Sequence, residues 1–246
     1  MLMIVCPMVF LAALIDSIAG GGGLISLPAY MLALPGNTAL ASGTNKFTAS
    51  AGTLFAASRF AKEGRIAWKC ALCAAAGALS AYFGAHTLSS LPEQTIRTII
   101  MAALPVVAVI ILVRRDIEAR EVRETTGRLL MCAGIGVAVG FYDGLIGPGT
   151  GTFLIILLNM AMGLDMVSAS GTAKVVNLTS NAAALVRFLL GGQVLFTLGL
   201  PAMACSIAGG LLGAWLAVRI GGKFIRFMLI GVLALMLIKL VWDMLM

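Results

Sequence analysis

Ala41-Ser42-Gly43-Thr44-Asn45-Lys46 recurs 128 residues later as Ala169-Ser170-Gly171-Thr172-Ala173-Lys174, and each copy follows a glycine-rich break in an apolar run. At the same offset Arg59, Phe60 and Gly64 fall on Arg187, Phe188 and Gly192. A one-residue shift brings Asp16, Gly20 and Gly22 onto Asp143, Gly147 and Gly149. A period near half the chain length means two copies of one unit of about 125 residues, not a many-repeat solenoid.

The solvent of that unit is lipid. The 246 residues are 61% hydrophobic and 11% charged, with a mean hydropathy of +1.06, which leaves too little polar surface to coat a soluble globule. Runs of the ~17 or more apolar residues needed to cross a ~30 Å hydrocarbon core read at residues 66–88, 96–113, 168–190, 194–218 and 224–245. Residues 114–128 instead interleave Arg114, Arg115, Arg120, Arg123 and Arg128 with Asp116, Glu118, Glu121 and Glu124, the pattern of a water-exposed connection. The chain divides into a first membrane repeat, 1–113, a charged cytoplasmic linker, 114–127, and a second repeat, 128–246. Residues 2–14 lack a basic residue ahead of their apolar core, so they read as a retained span rather than a secretory signal.

The net charge of +7 is spread over short connections rather than clustered with aromatics on one face, which fits membrane orientation and not nucleic-acid binding. The five cysteines lie in apolar segments, and Cys70-x-x-Cys73 has no second ligand pair. They read as packing residues with no metal or redox role.

Residues 2–34 are too long for one upright helix. Gly20-Gly21-Gly22-Gly23 interrupts them at about 1 kcal/mol per glycine relative to alanine, and Gly147-Pro148-Gly149 interrupts 128–163 in the same way. If each broken stretch stays one span, the unit has four spans and the copies are parallel. If each is a helix plus a returning element, the unit has five and the copies are inverted. Cytoplasmic connections collect Lys and Arg. The inverted arrangement puts Arg59, Lys62, Arg65 and Lys69, the five arginines of 114–128, and Arg219, Lys223 and Arg226 on one side, twelve of the seventeen basic residues. The expected fold is an all-α polytopic transmembrane bundle of two inverted repeats with glycine-broken helices and both termini extracytoplasmic. The short elements 24–34 and 151–162 read equally as re-entrant or fully spanning.

An unpaired lysine near the bilayer centre costs about 2.5–3.5 kcal/mol on insertion scales, so Lys46 and Lys174 are site candidates. Each follows small and hydroxylated residues at a helix start, Thr44 and Thr172 among them, where free N–H groups and the positive dipole end favour an anion. The competing reading is that the lysines snorkel to the interface. Asn45, Asn177 and, less strongly, Asn181 offer neutral donors to oxygen ligands or bridge helices. The glycine breaks, with Gly22, Gly23, Gly149 and Thr150, bring irregular backbone to membrane depth, where it lines a cavity or is covered by protein. Asp16 and Asp143 precede the breaks, with three roles open: pairing with a lysine, binding a coupling proton, or sitting in interfacial water. Arg59 and Arg187 read as interfacial, and His86 as incidental. No catalytic motif is present: there is no GxSxG, HExxH or Walker loop.

The segment Ile15-Asp16-Ser17-Ile18-Ala19-Gly20-Gly21-Gly22-Gly23-Leu24-Ile25 with Pro28, then Gly43-Thr44-Asn45-Lys46, then Gly140, Asp143-Gly144 and Gly147-Pro148-Gly149-Thr150-Gly151, resembles the TauE/SafE family of sulfite and organosulfonate permeases over essentially the whole chain. The resemblance implies a bacterial or archaeal-type inner-membrane transporter of small anions such as sulfite or sulfoacetate. One departure bears on the site: Ala173 stands where the first copy has Asn45, so the half-sites are not equivalent ligands.

The expected function is therefore secondary transport of a small anion by alternating access around a midplane site, with Lys46 and Lys174 neutralising the anion. No enzymatic activity and no cofactor is expected. The partners are the anion and the lipid bilayer, with a homodimer allowed. The competing classes are an anion channel, a non-transporting accessory subunit and a sulfur-handling membrane enzyme that would have to use the cysteines.

Overall fold

The computed structural model describes residues 1–92, residue 95 and residues 125–231. The apolar run 96–113, linker residues 114–124 and most of the last run (224–245) lie outside the described residues. The arginines at 114, 115, 120 and 123 on which part of the orientation rests lie outside them too.

Every described element is helical: α1 (Leu2–Ala19), α2 (Gly23–Ala33), α3 (Thr38–Lys62), α4 (Trp68–Ala78), α5 (Ala81–Ser90), α6 (Thr126–Leu145), α7 (Thr150–Met162), α8 (Met166–Leu190) and α9 (Phe196–Ile220), with residues 222–231 also helical. Among them α1, α4 with α5 taken as one span (Trp68–Ser90), α6 and α9 are long and apolar enough to cross a membrane. The run read as 66–88 is thus one span with a turn at Leu79 and Ser80, where the Ser80 hydroxyl donates to the Val137 carbonyl at 2.7 Å.

Both glycine breaks exist, and their chemistry is steric. Gly20, Gly21, Gly147 and Gly149 all have φ between 75° and 86°, a region closed to most side chains. The returning elements are short. At 1.5 Å per residue, the 11 residues of α2 and the 13 of α7 span roughly 16 and 20 Å, about half to two-thirds of a hydrocarbon core. α2 folds back along α1, because Tyr30 and Ala33 cluster with Val5 and Val9. α7 is bent by 119° from α8. Both are therefore short returning elements that fold back from a glycine break.

The lysine-bearing helices α3 and α8 begin alike. Asn37 caps α3 by accepting from the Leu40 N–H, and Asp165, 128 residues on, caps α8 by accepting from the Val167 and Ser168 N–H groups. Such a cap is worth about 1 kcal/mol.

Contacts at the two ends of this pair fix their direction. Near the start of α3, Gly43 packs on the Gln193 carbonyl and the Thr44 hydroxyl accepts from Leu195 N–H at 3.0 Å, both residues lying beyond the end of α8. Near the start of α8, Gly171 packs on the Arg65 carbonyl and the Thr172 hydroxyl accepts from Ala67 N–H at 3.0 Å, beyond the end of α3. Equivalent helices lie antiparallel, so the two repeats are inverted.

The repeats also interlock. α1 packs on α9, where Gly209 and Gly213 meet the Phe10 and Leu14 carbonyls. The equivalent helix α6 packs on α4 and α5, with Gly136, Gly140 and Gly144 against the backbone of Ala74, Ala78 and Ala81. Small residues let helix backbones approach closely where lipid gives no hydrophobic drive for association. At the second interface Cys70 and Cys132 are buried with their sulfurs 2.9 Å apart, so Cys70 partners Cys132 on α6.

Candidate functional site: two crossed ion pairs beside one cavity

Each break leaves its aspartate in the last turn of the preceding helix, Asp16 on α1 and Asp143 on α6, and each lysine sits two turns into α3 or α8. Because the repeats interlock, the charges pair crosswise. Lys46 Nζ lies 2.7 Å from Asp143 Oδ2, and Lys174 Nζ lies 2.5 Å from Asp16 Oδ2. Neither lysine snorkels: they are 6% and 1% exposed. Breaking a buried pair by removing one partner costs about 3–5 kcal/mol, because the other charge is stranded. The two ammonium and two carboxylate groups cancel, which corrects the expectation of two lysines free for an anion.

The surroundings of the pairs differ. Asp16 is held at both oxygens, with Gly22 N–H donating to Oδ1 at 3.2 Å and Lys174 to Oδ2. Asp143 Oδ2 accepts from Lys46 and from the Ser180 hydroxyl at 2.6 Å. Lys46 also donates to Asn181 Oδ1 at 2.9 Å, and Asn181 Nδ2 donates to Asn177 Oδ1 at 3.3 Å. An ammonium has three donors. Lys46 uses two on described residues.

The two breaks touch. Gly20 lies against Gly151 and Thr152, and Gly23 against Gly147 and Pro148, so the starts of α2 and α7 meet beside the pairs. The Thr152 hydroxyl donates to the Ala19 carbonyl at 3.0 Å and ties one break to the other.

Beside this junction is a cavity of about 60 Å³, lined by the breaks, α1, α3, Asn177 and Asn181 of α8, and Ser206 of α9. One water needs roughly 10–15 Å³ on this measure, so the space suits a few waters or a small oxyanion. Of the candidates, Lys46, Asn45, Asn177, Asn181, Asp16, Asp143, Gly22, Gly23, Gly149 and Thr150 line it. Thr44, Thr172 and Lys174 do not. The threonine hydroxyls serve the 195 and 67 loops, as their positions near the helix starts dictate, and Lys174 stands behind Asp16. The Thr150 hydroxyl donates to the Gly147 carbonyl at 2.7 Å, inside the break itself. Asn45 Oδ1 is buried with no hydrogen-bond partner among the described residues.

The cavity is one-sided for a reason visible in α3 and α8. Ala49, Gly52 and Thr53 of α3 correspond to Asn177, Ser180 and Asn181 of α8. Small residues on α3 leave space, whereas the larger polar residues on α8 fill theirs and bond to Lys46 and Asp143.

A model of the family described as "Sulfite exporter TauE/SafE" matches residues 5–240. The chain belongs to the TauE/SafE family. A probable membrane transporter protein of Haemophilus influenzae is 32% identical over 239 residues, covering 95% of this chain and 92% of that protein. The probable membrane transporter protein YfcA of Escherichia coli K12 is 31% identical over 236 residues, covering 95% and 87%. YdhB of Bacillus subtilis, also named a probable membrane transporter protein, is 26% identical over 219 residues, covering 86% and 89%. No solved structure matches the chain. The protein is thus a multi-pass membrane transporter of the TauE/SafE family.

In this TauE/SafE chain the sequence reading missed Ser180 and Ser206. Ser180 had a signal: it follows Lys174 and Asn177 at helical spacing, on one face of α8. Ser206 had none, since its place comes from the packing of α9 on Gly52. His86 is not incidental, because its Nδ1 accepts from Arg187 Nε at 3.0 Å near the end of α8. Arg59 pairs with Glu63 at 2.8 Å near the end of α3, partly exposed, as an interfacial residue would be.

Proposed function

We propose that the chain moves a small oxyanion, sulfite or an organosulfonate such as sulfoacetate, across the bacterial inner membrane by alternating access around the cavity. The observation that carries this reading is the position of Lys46: its ammonium lines a small polar cavity where two helix starts meet. Helix starts present free N–H groups and the positive end of the backbone dipole, which suit an anion. Inverted, interlocked repeats supply two units that can rock about that point. The family description, sulfite exporter, favours a sulfur oxyanion within this class. The collection of Lys and Arg in one set of connections supports an orientation with both termini extracytoplasmic. A negative-inside potential expels an anion with about 2.3 kcal/mol per charge per 100 mV, so uncoupled movement would run outward.

The test is a thermal-shift screen of sulfite, thiosulfate, sulfoacetate, taurine and non-sulfur carboxylates on the wild type and on Lys46→Ala. Stabilisation by a sulfur oxyanion that disappears in Lys46→Ala supports the reading. Equal stabilisation in the variant removes Lys46 from the site. Counterflow in proteoliposomes, which a carrier shows and a channel does not, tests alternating access.

A further inference from the structure

Three charged side chains line the cavity: Lys46, Asp16 and Asp143. A bare anion entering there meets two carboxylates and one ammonium, and that ammonium already serves Asp143 and Asn181. Such a site repels the ligand proposed above unless a positive charge arrives with it. A proton on one of the carboxylates supplies it.

The two carboxylates are not interchangeable in this respect. Protonating Asp16 would strand Lys174, which is 1% exposed and has no face on the cavity, and would weaken the Gly22 N–H bond that shapes the break. No anion site would result. Protonating Asp143 releases Lys46, whose ammonium does face the cavity and keeps Asn181 Oδ1 as an acceptor. Asp143 Oδ1 accepts no hydrogen bond from the described residues, and Gly147, lacking a side chain, leaves its approach open: a Cβ there would stand 3.9 Å from Oδ1 and 3.7 Å from Lys46 Nζ.

The charged groups around Asp143 are Lys46 from α3, Asp16 from α1 and, behind Asp16, Lys174 from α8. α7 carries no ionisable side chain. Next to Asp143, Gly144 packs on the backbone of Ala81 and Ala85 in α5, whose His86 is taken by Arg187. α4 meets α6 through Ala74, Ala78 and the Cys70–Cys132 contact. The Tyr142 hydroxyl donates to the Pro148 carbonyl. Lys46 is the single cation bonded to Asp143 among the described residues.

We propose that the anion binds together with one proton, held on Asp143, which frees Lys46 for the anion, while Asp16–Lys174 remains a fixed structural pair. The inference rests on the anion reading above. The proton adds to an Asp143 carboxylate oxygen, the anion takes the place of that oxygen on Lys46, and both depart together. For a monoanion the cargo is then electroneutral, driven by its own gradient and the pH gradient and indifferent to membrane potential.

The experiment is calorimetric titration of the purified chain with methanesulfonate, sulfite and sulfoacetate, in two buffers of different ionisation enthalpy across the neutral pH range. Methanesulfonate stays a monoanion throughout, so any proton taken up on its binding goes to the protein. The expected result is one proton absorbed per methanesulfonate bound, affinity falling with rising pH, and neither effect in Asp143→Asn. Asp16→Asn, if it folds, still absorbs the proton. Should Asp143→Asn fail to fold, Ser180→Ala removes a donor to Asp143 Oδ2 without removing a charge, and the pH midpoint of binding should move upward. Methanesulfonate binding without proton uptake, unchanged uptake in Asp143→Asn, or an unmoved midpoint in Ser180→Ala overturns the proton proposal and leaves the anion site standing. If no anion binds at any pH, the anion reading itself falls, and the proton proposal with it.

Discussion

Lys46 Nζ lies 2.7 Å from Asp143 Oδ2, so the lysine of the first repeat is neutralised by the carboxylate of the second. Lys174 and Asp16 repeat the arrangement in reverse. Two charges buried in a lipid-facing fold are tolerable only as pairs, and crossing them between repeats makes each repeat's electrostatics depend on the other. The first repeat alone would leave Lys46 and Asp16 without these partners.

Charge removal should therefore be strongly non-additive. Lys174→Met leaves Asp16 without its cation and should lower stability by about 3–5 kcal/mol, whereas adding Asp16→Asn should restore more than half of that loss. Thermal unfolding in detergent reads the cycle. Additive losses would mean that the pair does not form in the membrane.

Ala49 faces the cavity where α8 carries Asn177. Ala49→Asn should fill the space with a side chain the fold already accommodates at the equivalent position. Stability should change by no more than about 1–2 kcal/mol, and anion affinity should drop about tenfold or more. Undiminished binding would place the ligand elsewhere.

Gly43 is held by space rather than by backbone angle, since any side chain there runs into the Gln193 carbonyl. Gly43→Val and Gly171→Val should each cost about 3 kcal/mol or more and lower the yield of folded protein. Gly134, on α6 with nothing within 4 Å of its side-chain position, is the control. Gly134→Ala should be neutral or stabilise by up to about 1 kcal/mol.

Single cysteines at Gly36 and Thr125, in an otherwise cysteine-free chain, should label from opposite sides of the membrane. Gly36 lies between α2 and α3, at the end where α1 begins, and Thr125 immediately precedes the equivalent helix α6 of the inverted repeat. Labelling from the same side would reject the inversion.

Much of this architecture was legible in one dimension. The repeated lysine motif gave the duplication, the glycine runs marked both breaks, and the asymmetry between Asn45 and Ala173 warned that the half-sites differ. These are local signals: a run of glycines breaks a helix wherever it occurs, and a motif at constant offset needs no contact to be seen. Thr44 and Thr172 show the limit of such reading, because a hydroxyl near a helix start looks like a ligand until the partner loop that uses it is in place.

What the amino-acid sequence determined by itself was a lipid-solvated, duplicated helical protein with charge placed where only a partner could make it stable. What the tertiary structure decided was the partner. Lys174 and Asp16 are separated by 158 residues, and their contact arises from the packing of α1 between elements of the other repeat. The openness of one half-site and the filling of the other likewise depend on which face of α3 and α8 looks inward. Side-chain volume is written in the sequence, but whether that volume meets a cavity or a neighbour is fixed only when helices distant along the chain come into register.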